Sequence, residues 1–352
     1  MKTHDSATAA GTSAVEPTRR PAPPADKSSR TPMSRATSVA RTVAAEHLIW
    51  PIVGLMLVVG AFVPGFLTSG NLTNLMWAAA PLGCMVVGLY FVMITGRLDL
   101  SLESTYALAP VVAVLFMTQW LAGLNPVIGI LITLLVGAAV GLLNGLLSVT
   151  LGVNPFLVTL ATLLTVRGVV VYLIPEGVYD IPETYTALGG SSVGAVPLAV
   201  FVLLGLFAVA WLTIRYTVFG RNLMAIGNNE KACRVAGINV QLACVGAFVV
   251  AGVCAAIGGL LSAGRLFSVD ASMGDGDILI VFAATTLGGT ALTGGKGRVT
   301  GLLGAIFVIG GINNLMNLVG VESNLRQIVF GVILLFAILL SSLQERLRRT
   351  RA

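Results

Sequence analysis

Ten apolar runs, most of them close to 20 residues long, limit what this chain can become. They cover approximately 48–67, 76–95, 103–121, 126–150, 155–175, 195–214, 242–262, 278–294, 299–319 and 326–343. A run of that length matches the roughly 30 Å of a bilayer's hydrocarbon core when it is helical. The runs are continuous rather than alternating, which favours helices over a transmembrane β-barrel with its strands of about ten residues. A soluble domain has no room for this much apolar surface: 56% of the 352 residues are hydrophobic and only 10% are charged. The expected fold is all-α, a polytopic transmembrane helix bundle of about ten spans.

The charges give the bundle an orientation. Basic residues gather in the N-terminal tail (Arg19, Arg20, Lys27, Arg30, Arg35, Arg41) and the C-terminal tail (Arg346, Arg348, Arg349, Arg351). With an even number of spans, the loops holding Arg97, then Arg215, Arg221, Lys231 and Arg234, then Lys296 and Arg298 share the side of both tails. The opposite loops hold Glu176, Asp180 and Glu183, then Asp270, Asp275 and Asp277, then Glu322. Positive charge stays in the cytoplasm, so both termini are expected there. Only Arg265 and Arg326 go against the trend. The net charge of +6 therefore records topology and not nucleic-acid binding.

Residues 1–45, rich in Ala, Pro, Ser, Thr and Arg, read as a disordered cytoplasmic tail, and 344–352 as a short basic one. The transmembrane domain runs from 46 to 343. The polar "SGNLTNL" before the second run suggests an interfacial turn. Two stretches, "NGLLSVTLGVNPFLV" from Asn144 and "NNLMNLVGVESNLRQIV" from Asn313, resemble each other and fall on opposite sides of the expected topology. That arrangement suits an inverted repeat, while two Gly-rich apolar stretches can also converge by chance.

One charged segment interrupts the middle of the chain. Within the cytoplasmic loop 215–241, Asn228 or Asn229 can cap a short helix, Glu230 complements its dipole, and Gly237 supplies a stop. Glu230 and Arg234 stand four apart in the favourable order. Ala232, Val235 and Ala236 form a small apolar stripe. So short a helix does not persist alone in water, which favours docking on a partner over a solvated loop.

Catalytic signals fail on inspection. "GGTALTGGKGR" lacks P-loop spacing, and Gly297 follows Lys296 where a Ser or Thr is required. It reads as a broken helix end beside a turn. "GSSVG" (190–194) has no histidine within reach, since His4 and His47 lie at the other side, and reads as a Gly/Ser turn. The four cysteines have no metal spacing and no disulfide is expected. The chain is expected to bind no cofactor, ATP and Mg belonging to a separate subunit. Polar groups at the membrane are the remaining candidates. Asp99 can cap the third span, Asn154-Pro155 opens the fifth, and Arg167 lies inside it and needs a partner, a cavity or a snorkelling route. Asn313 and Asn314 join them from the repeat-like stretch. For each, capping or pairing stands beside contact with a translocated solute.

The segment "FGRNLMAIGNNEKACRVAGINV" resembles the cytoplasmic coupling segment of ribose-type ABC sugar-importer permeases, whose pattern is approximately G-R-x-x-Y-A-I-G-G-N-x-x-A-A-R-x-x-G-I. Gly220, Arg221, Ala225, Ile226, Gly227, Asn229, Ala232, Arg234, Gly237 and Ile238 match; Met224, Asn228 and Cys233 depart from it. In order along the chain, "TGRLDLSLES" resembles G-G-I-D-L-S-V-G-S, with Arg97 and Glu103 replacing small residues. "NPFLVTLATLLTVRG", "LGGTALTGGKGRVTG" and "GGINNLMNLVGVESNLRQIVFGVILL" are similar to further family stretches. The likeness covers roughly 48–343. In "DGDILIVFAA", Ile278 and Ile280 stand where the family has acids.

The resemblance implies a monosaccharide permease of a bacterial inner membrane. It pairs with a second permease copy, identical or not, and with an ABC ATPase inside and an extracytoplasmic sugar-binding protein outside. The coupling surface then involves Gly220, Arg221, Ala225, Ile226, Gly227, Asn228, Asn229, Glu230, Lys231, Arg234 and Gly237. The alternatives are a related permease for branched-chain amino acids or nucleosides and, in another class, an ion-coupled secondary transporter. The latter needs titratable groups at the midplane, and few are present.

Overall fold

The computed structural model describes residues 49–339 except 323, 324, 327 and 337. The N-terminal tail, the basic C-terminal tail and the end of the tenth apolar run lie outside the described residues. The elements are α1 (Ile49–Ala61), α2 (Ser69–Met93), α3 (Leu102–Leu115), α4 (Pro126–Gly145), α5 (Pro155–Leu173), α6 (Glu183–Gly190), a hairpin β1 (Ser192–Val193) and β2 (Val196–Pro197), α7 (Leu198–Tyr216), α8 (Val218–Asn228), α9 (Glu230–Val235), α10 (Val240–Leu266), α11 (Asp277–Leu287) and α12 (Val299–Leu318). Residues 328–336 are again helical. The chain is an all-α polytopic bundle.

Seven described helices are long and apolar enough to cross a membrane: α2, α3 with the π-helical turn that extends it to Trp120, α4 with a like extension to Thr150, α5, α7, α10 and α12. The first and eighth expected runs form shorter helices of 13 and 11 residues. At 1.5 Å per residue, α11 reaches only about 16 Å, half the hydrocarbon thickness. "SGNLTNL" is not a turn. It is the first part of α2, because Asn71 is satisfied there by bonds to Asn314 and to the Phe66 carbonyl.

Helices α2, α3, α10 and α12 form the interior: 67–78% of their apolar windows is buried, against 22–28% for α4, α5 and α7. The outer three present Leu, Ile, Val and Phe to the surroundings, as lipid-facing helices do. Helices have no hydrophobic driving force toward one another in lipid, so they associate through close backbone approach. Gly137 of α4 and Gly252 of α10 illustrate it, since a Cβ on either would strike the other's carbonyl oxygen.

The element order is duplicated. Helices of 25, 14 and 20 residues (α2, α3, α4) are matched by 27, 11 and 20 (α10, α11, α12). The second set runs opposite to the first. Gly88 of α2 meets Ala251 of α10 while Pro81 meets Gly258, so the two helices are antiparallel. Likewise α4 is antiparallel to α10, with Gly141 on Phe248 and Gly145 on Val245, as α12 is to α2, with Ile306 near Gly83 and Gly310 on Ala79. This is the geometry of an inverted repeat. In each set the long first helix is followed by a non-helical linker, 97–100 after α2 and 268–276 after α10, before the next helix begins.

Candidate coupling surface and the polar chain behind it

The charged segment folds as two helices rather than one. Thr217 caps α8 by accepting a hydrogen bond from the Gly220 N–H (3.1 Å), and α8 buries Gly220, Leu223 and Ile226. Asn229 ends α8 and caps α9, its Oδ1 accepting from Ala232 N–H at 3.0 Å. Of the two candidate caps, Asn229 holds the position. Asn228 instead donates to the carbonyls of Met224 (2.8 Å) and Gly295 (3.1 Å). Gly237, at φ 78°, closes α9, with its N–H on the Arg234 carbonyl and that of Ile238 on Cys233. Sequence reasoning missed α8, although Thr217 and the Phe219, Leu223, Ile226 spacing carried the signal.

The α9 helix has two faces. Cys233 is buried, whereas Lys231, Ala232, Val235 and Ala236 are exposed, Val235 to 91%. Of the other coupling candidates, Gly220 and Ile226 face inward, Ala225 and Gly227 are half-buried, and Arg221 is exposed with its guanidinium on the Tyr216 carbonyl at 3.3 Å.

Glu230 ties this surface to the interior. Its Oε1 accepts from Arg234 Nη2 at 2.8 Å, the expected i,i+4 pair, and its Oε2 accepts from Arg97 Nη2 at 2.9 Å. The hydrogen bond from Arg234, joined by the charge of Arg97, holds the Glu230 carboxyl below its ordinary range against an opposing push from burial. Beside this pair three backbone segments meet. Gly295 N–H donates to the Ile94 carbonyl at 2.8 Å, and Gly227 packs so closely on both that a Cβ there would collide with backbone.

Arg97 opens the non-helical linker 97–100, which leads to α3. Asp99, fully buried, accepts from the Ser101 N–H (2.9 Å) and Oγ–H (2.6 Å), bracing the turn before α3 rather than occupying its cap, which is Ser101. Asn144 of α4 donates to Ser101 Oγ at 2.7 Å, and Thr162 of α5 donates to Asn144 Oδ1 at 2.6 Å. A continuous polar chain Asp99–Ser101–Asn144–Thr162 thus crosses three segments. Asp99 Oδ2 has no hydrogen-bond partner among the described residues. Asn144 was visible only as part of a repeat-like stretch, and Ser101 and Thr162 only as members of stretches that resemble the family, with no sign that the three meet.

In the first turn of α3, just past the linker, Glu103 Oε1 accepts from Arg167 Nη2 at 3.2 Å, and its Oε2 accepts from the Ile278 N–H, at the start of α11, at 3.2 Å. Arg167 also donates to the carbonyls of Ala271 (2.8 Å) and Met273 (2.9 Å). Its required partner is therefore present. Asn154 and Pro155 stay apart from these groups: Asn154 caps α5 through the Phe156 N–H at 2.9 Å, at an exposed end. Asn314 exchanges two amide bonds with Asn71 (2.8 and 2.9 Å), while Asn313 is half-buried. "GSSVG" leads into the β1–β2 hairpin, and "GGTALTGGKGR" is an irregular turn after α11.

Oppositely directed sets of membrane helices, each with an irregular linker after its long first helix, are an arrangement common among transport proteins. Residues 71–338 match the family model described as branched-chain amino acid transport system / permease component, and the chain belongs to that family. It is 34% identical to the ribose import permease protein RbsC of Bacillus subtilis over 289 residues, 81% of this chain and 89% of the relative. Identity to RbsC of Escherichia coli K12 is 32% over 83% of this chain and 91% of that one. The L-arabinose transport system permease protein AraH of the same strain is 33% identical over 86% and 94%. No solved structure matches.

Proposed function

We propose that this chain is the membrane permease subunit of an ATP-binding-cassette importer for a monosaccharide. Similarity to ribose and arabinose permeases across more than four-fifths of both chains carries the reading. The exposed tip of α9 supports it, as a surface fitted to a separate ATPase on the cytoplasmic side. Both termini lie on that side in this reading, and the membrane is the bacterial inner membrane. The permease works with a second permease copy and an extracytoplasmic sugar-binding protein. It binds no cofactor and catalyses no reaction itself; ATP and Mg act on the ATPase subunit. ATPase closure displaces α8–α9 and rocks the two halves between access states. A neutral polyhydroxy solute suits a path with hydroxyl and amide groups and little net field, which favours the chain Asp99–Ser101–Asn144–Thr162 as its neighbour.

The family's description keeps one rival in view, a branched-chain amino acid cargo. Proteoliposomes holding the permease, its ATPase and the cognate binding protein separate the readings. ATP-driven uptake of labelled ribose or arabinose, with none of leucine, is the expected result. Uptake of leucine alone, or uptake driven by an ion gradient without ATP, would replace this reading.

A further inference from the structure

The linker between α2 and α3 lies between two ion pairs, one at its first residue and one in the first turn of α3. Arg97 faces α9, and Glu103, six residues on, faces the start of α11. Fully extended, that stretch spans at most about 20 Å. It therefore joins the exposed helix to the interior in one covalent step, with Asp99 and Ser101 between its ends. Glu230 divides its carboxylate between two arginines: Oε1 takes Arg234, whose side chain is 54% exposed, and Oε2 takes Arg97, only 14% exposed. One side chain thus touches both the outward face of α9 and the linker.

We propose that Arg97 is a positioning residue for transport, transmitting displacement of α9 through Glu230 to the linker and so to the polar chain at the head of α3. The inference rests on the reading of α9 as the ATPase-facing helix. The backbone meeting of Ile94, Gly227 and Gly295 holds α8 beside the linker but ends at α8. Among the described residues, the charged contact is what reaches α9 from the linker. It is also directional, because a guanidinium–carboxylate bond holds both distance and angle.

The test uses the assembled transporter in proteoliposomes, with ribose or arabinose as probe, whichever the unmodified complex takes up. Arg97→Ala should leave ATPase co-purification and ATP hydrolysis within about twofold while uptake falls roughly tenfold, the pattern of uncoupling and not of lost assembly. Arg97→Lys, which keeps the cation, should retain most uptake. The double variant Arg97→Ala/Glu230→Ala should be no worse than Glu230→Ala, since the pair acts as a unit. Unchanged uptake in Arg97→Ala overturns the inference. So does a loss of ATPase binding in proportion to uptake, which would make Arg97 only a brace for α9. If ATP drives no uptake by the unmodified complex, the transport reading itself falls, and this inference with it.

Discussion

Two ion pairs lie six residues apart, one on the linker and one in the first turn of α3, and they do different work. Glu103 and Arg167 are 6% and 17% exposed, and both find additional backbone partners: the Ile278 N–H for the acid, two carbonyls for the base. Glu230 is 36% exposed and shares its carboxylate with a second arginine. A buried pair stripped of one partner leaves a charge stranded in low dielectric, whereas an exposed one is screened and rehydrated. The inner pair is therefore an anchor for the start of two broken helices. The outer pair is a joint that can exchange partners without endangering the fold.

That contrast can be broken most forcefully at the anchor. Arg167→Met should destabilise the purified permease by about 3–5 kcal/mol, because Glu103 remains buried and unpaired. Thermal unfolding in detergent, with the yield of monodisperse protein, reads the effect. A melting curve like that of the unmodified protein would show that Glu103 finds water or another partner.

The next effect falls on the turn between the pairs. Asp99→Leu removes the acceptor for both Ser101 donors and should cost about 1–3 kcal/mol. Asp99→Asn keeps an acceptor oxygen and should be mild. Asn as damaging to uptake as Leu, at normal expression, would mean that the charge of Asp99 matters and not its bracing of α3.

The joint should respond only weakly, and to pH. Glu230 is held below its ordinary carboxyl value of 4.5, so its contribution is fully present above that value and is lost as pH falls through the depressed one. The melting difference between the unmodified permease and Glu230→Gln should be constant from about pH 6 to 8 and shrink toward about pH 4. A difference that grows on acidification would reverse the sign and contradict the pairing.

The linker also shows what the sequence could and could not disclose. Local signals were legible: a cap at Asn228 or Asn229, Gly237 as stop, Glu230 with Arg234, and Asn154-Pro155 opening α5. Each depends on residues within one turn of each other. The long apolar helices were legible for the same reason, through composition within one segment. What connects them was not. Arg97 and Glu230 are 133 positions apart, Ser101 and Asn144 are 43, and Glu103 and Arg167 are 64. Periodicity says which face of a helix is apolar but not which other helix it meets. Glu103 stood out only as a charge where the resembled family has a small residue, and Arg97 only in that way and as a basic loop residue that orients the bundle. A Glu230→Lys/Arg234→Glu exchange, attractive from spacing alone, would set a new ammonium group against Arg97 and so disturb the linker as well as the surface. Lengths misled in two places: α1 and α11 are shorter than their apolar runs, and the run containing α11 ends in a glycine turn that packs on α2.

The most direct test of α9 as the ATPase-facing helix therefore avoids both ion pairs and uses Val235. Its side chain is 91% exposed, so Val235→Asp should change the stability of the permease by no more than about 0.5 kcal/mol. Co-purification of the ATPase with the Val235→Asp permease, at equal expression and equal melting temperature, is the measurement. If α9 docks on the ATPase, recovery falls at least about tenfold, as when a charge is buried at the centre of an interface without a partner. Full recovery of the ATPase together with undiminished ATP-driven uptake would contradict that docking and leave α9 a solvated turn.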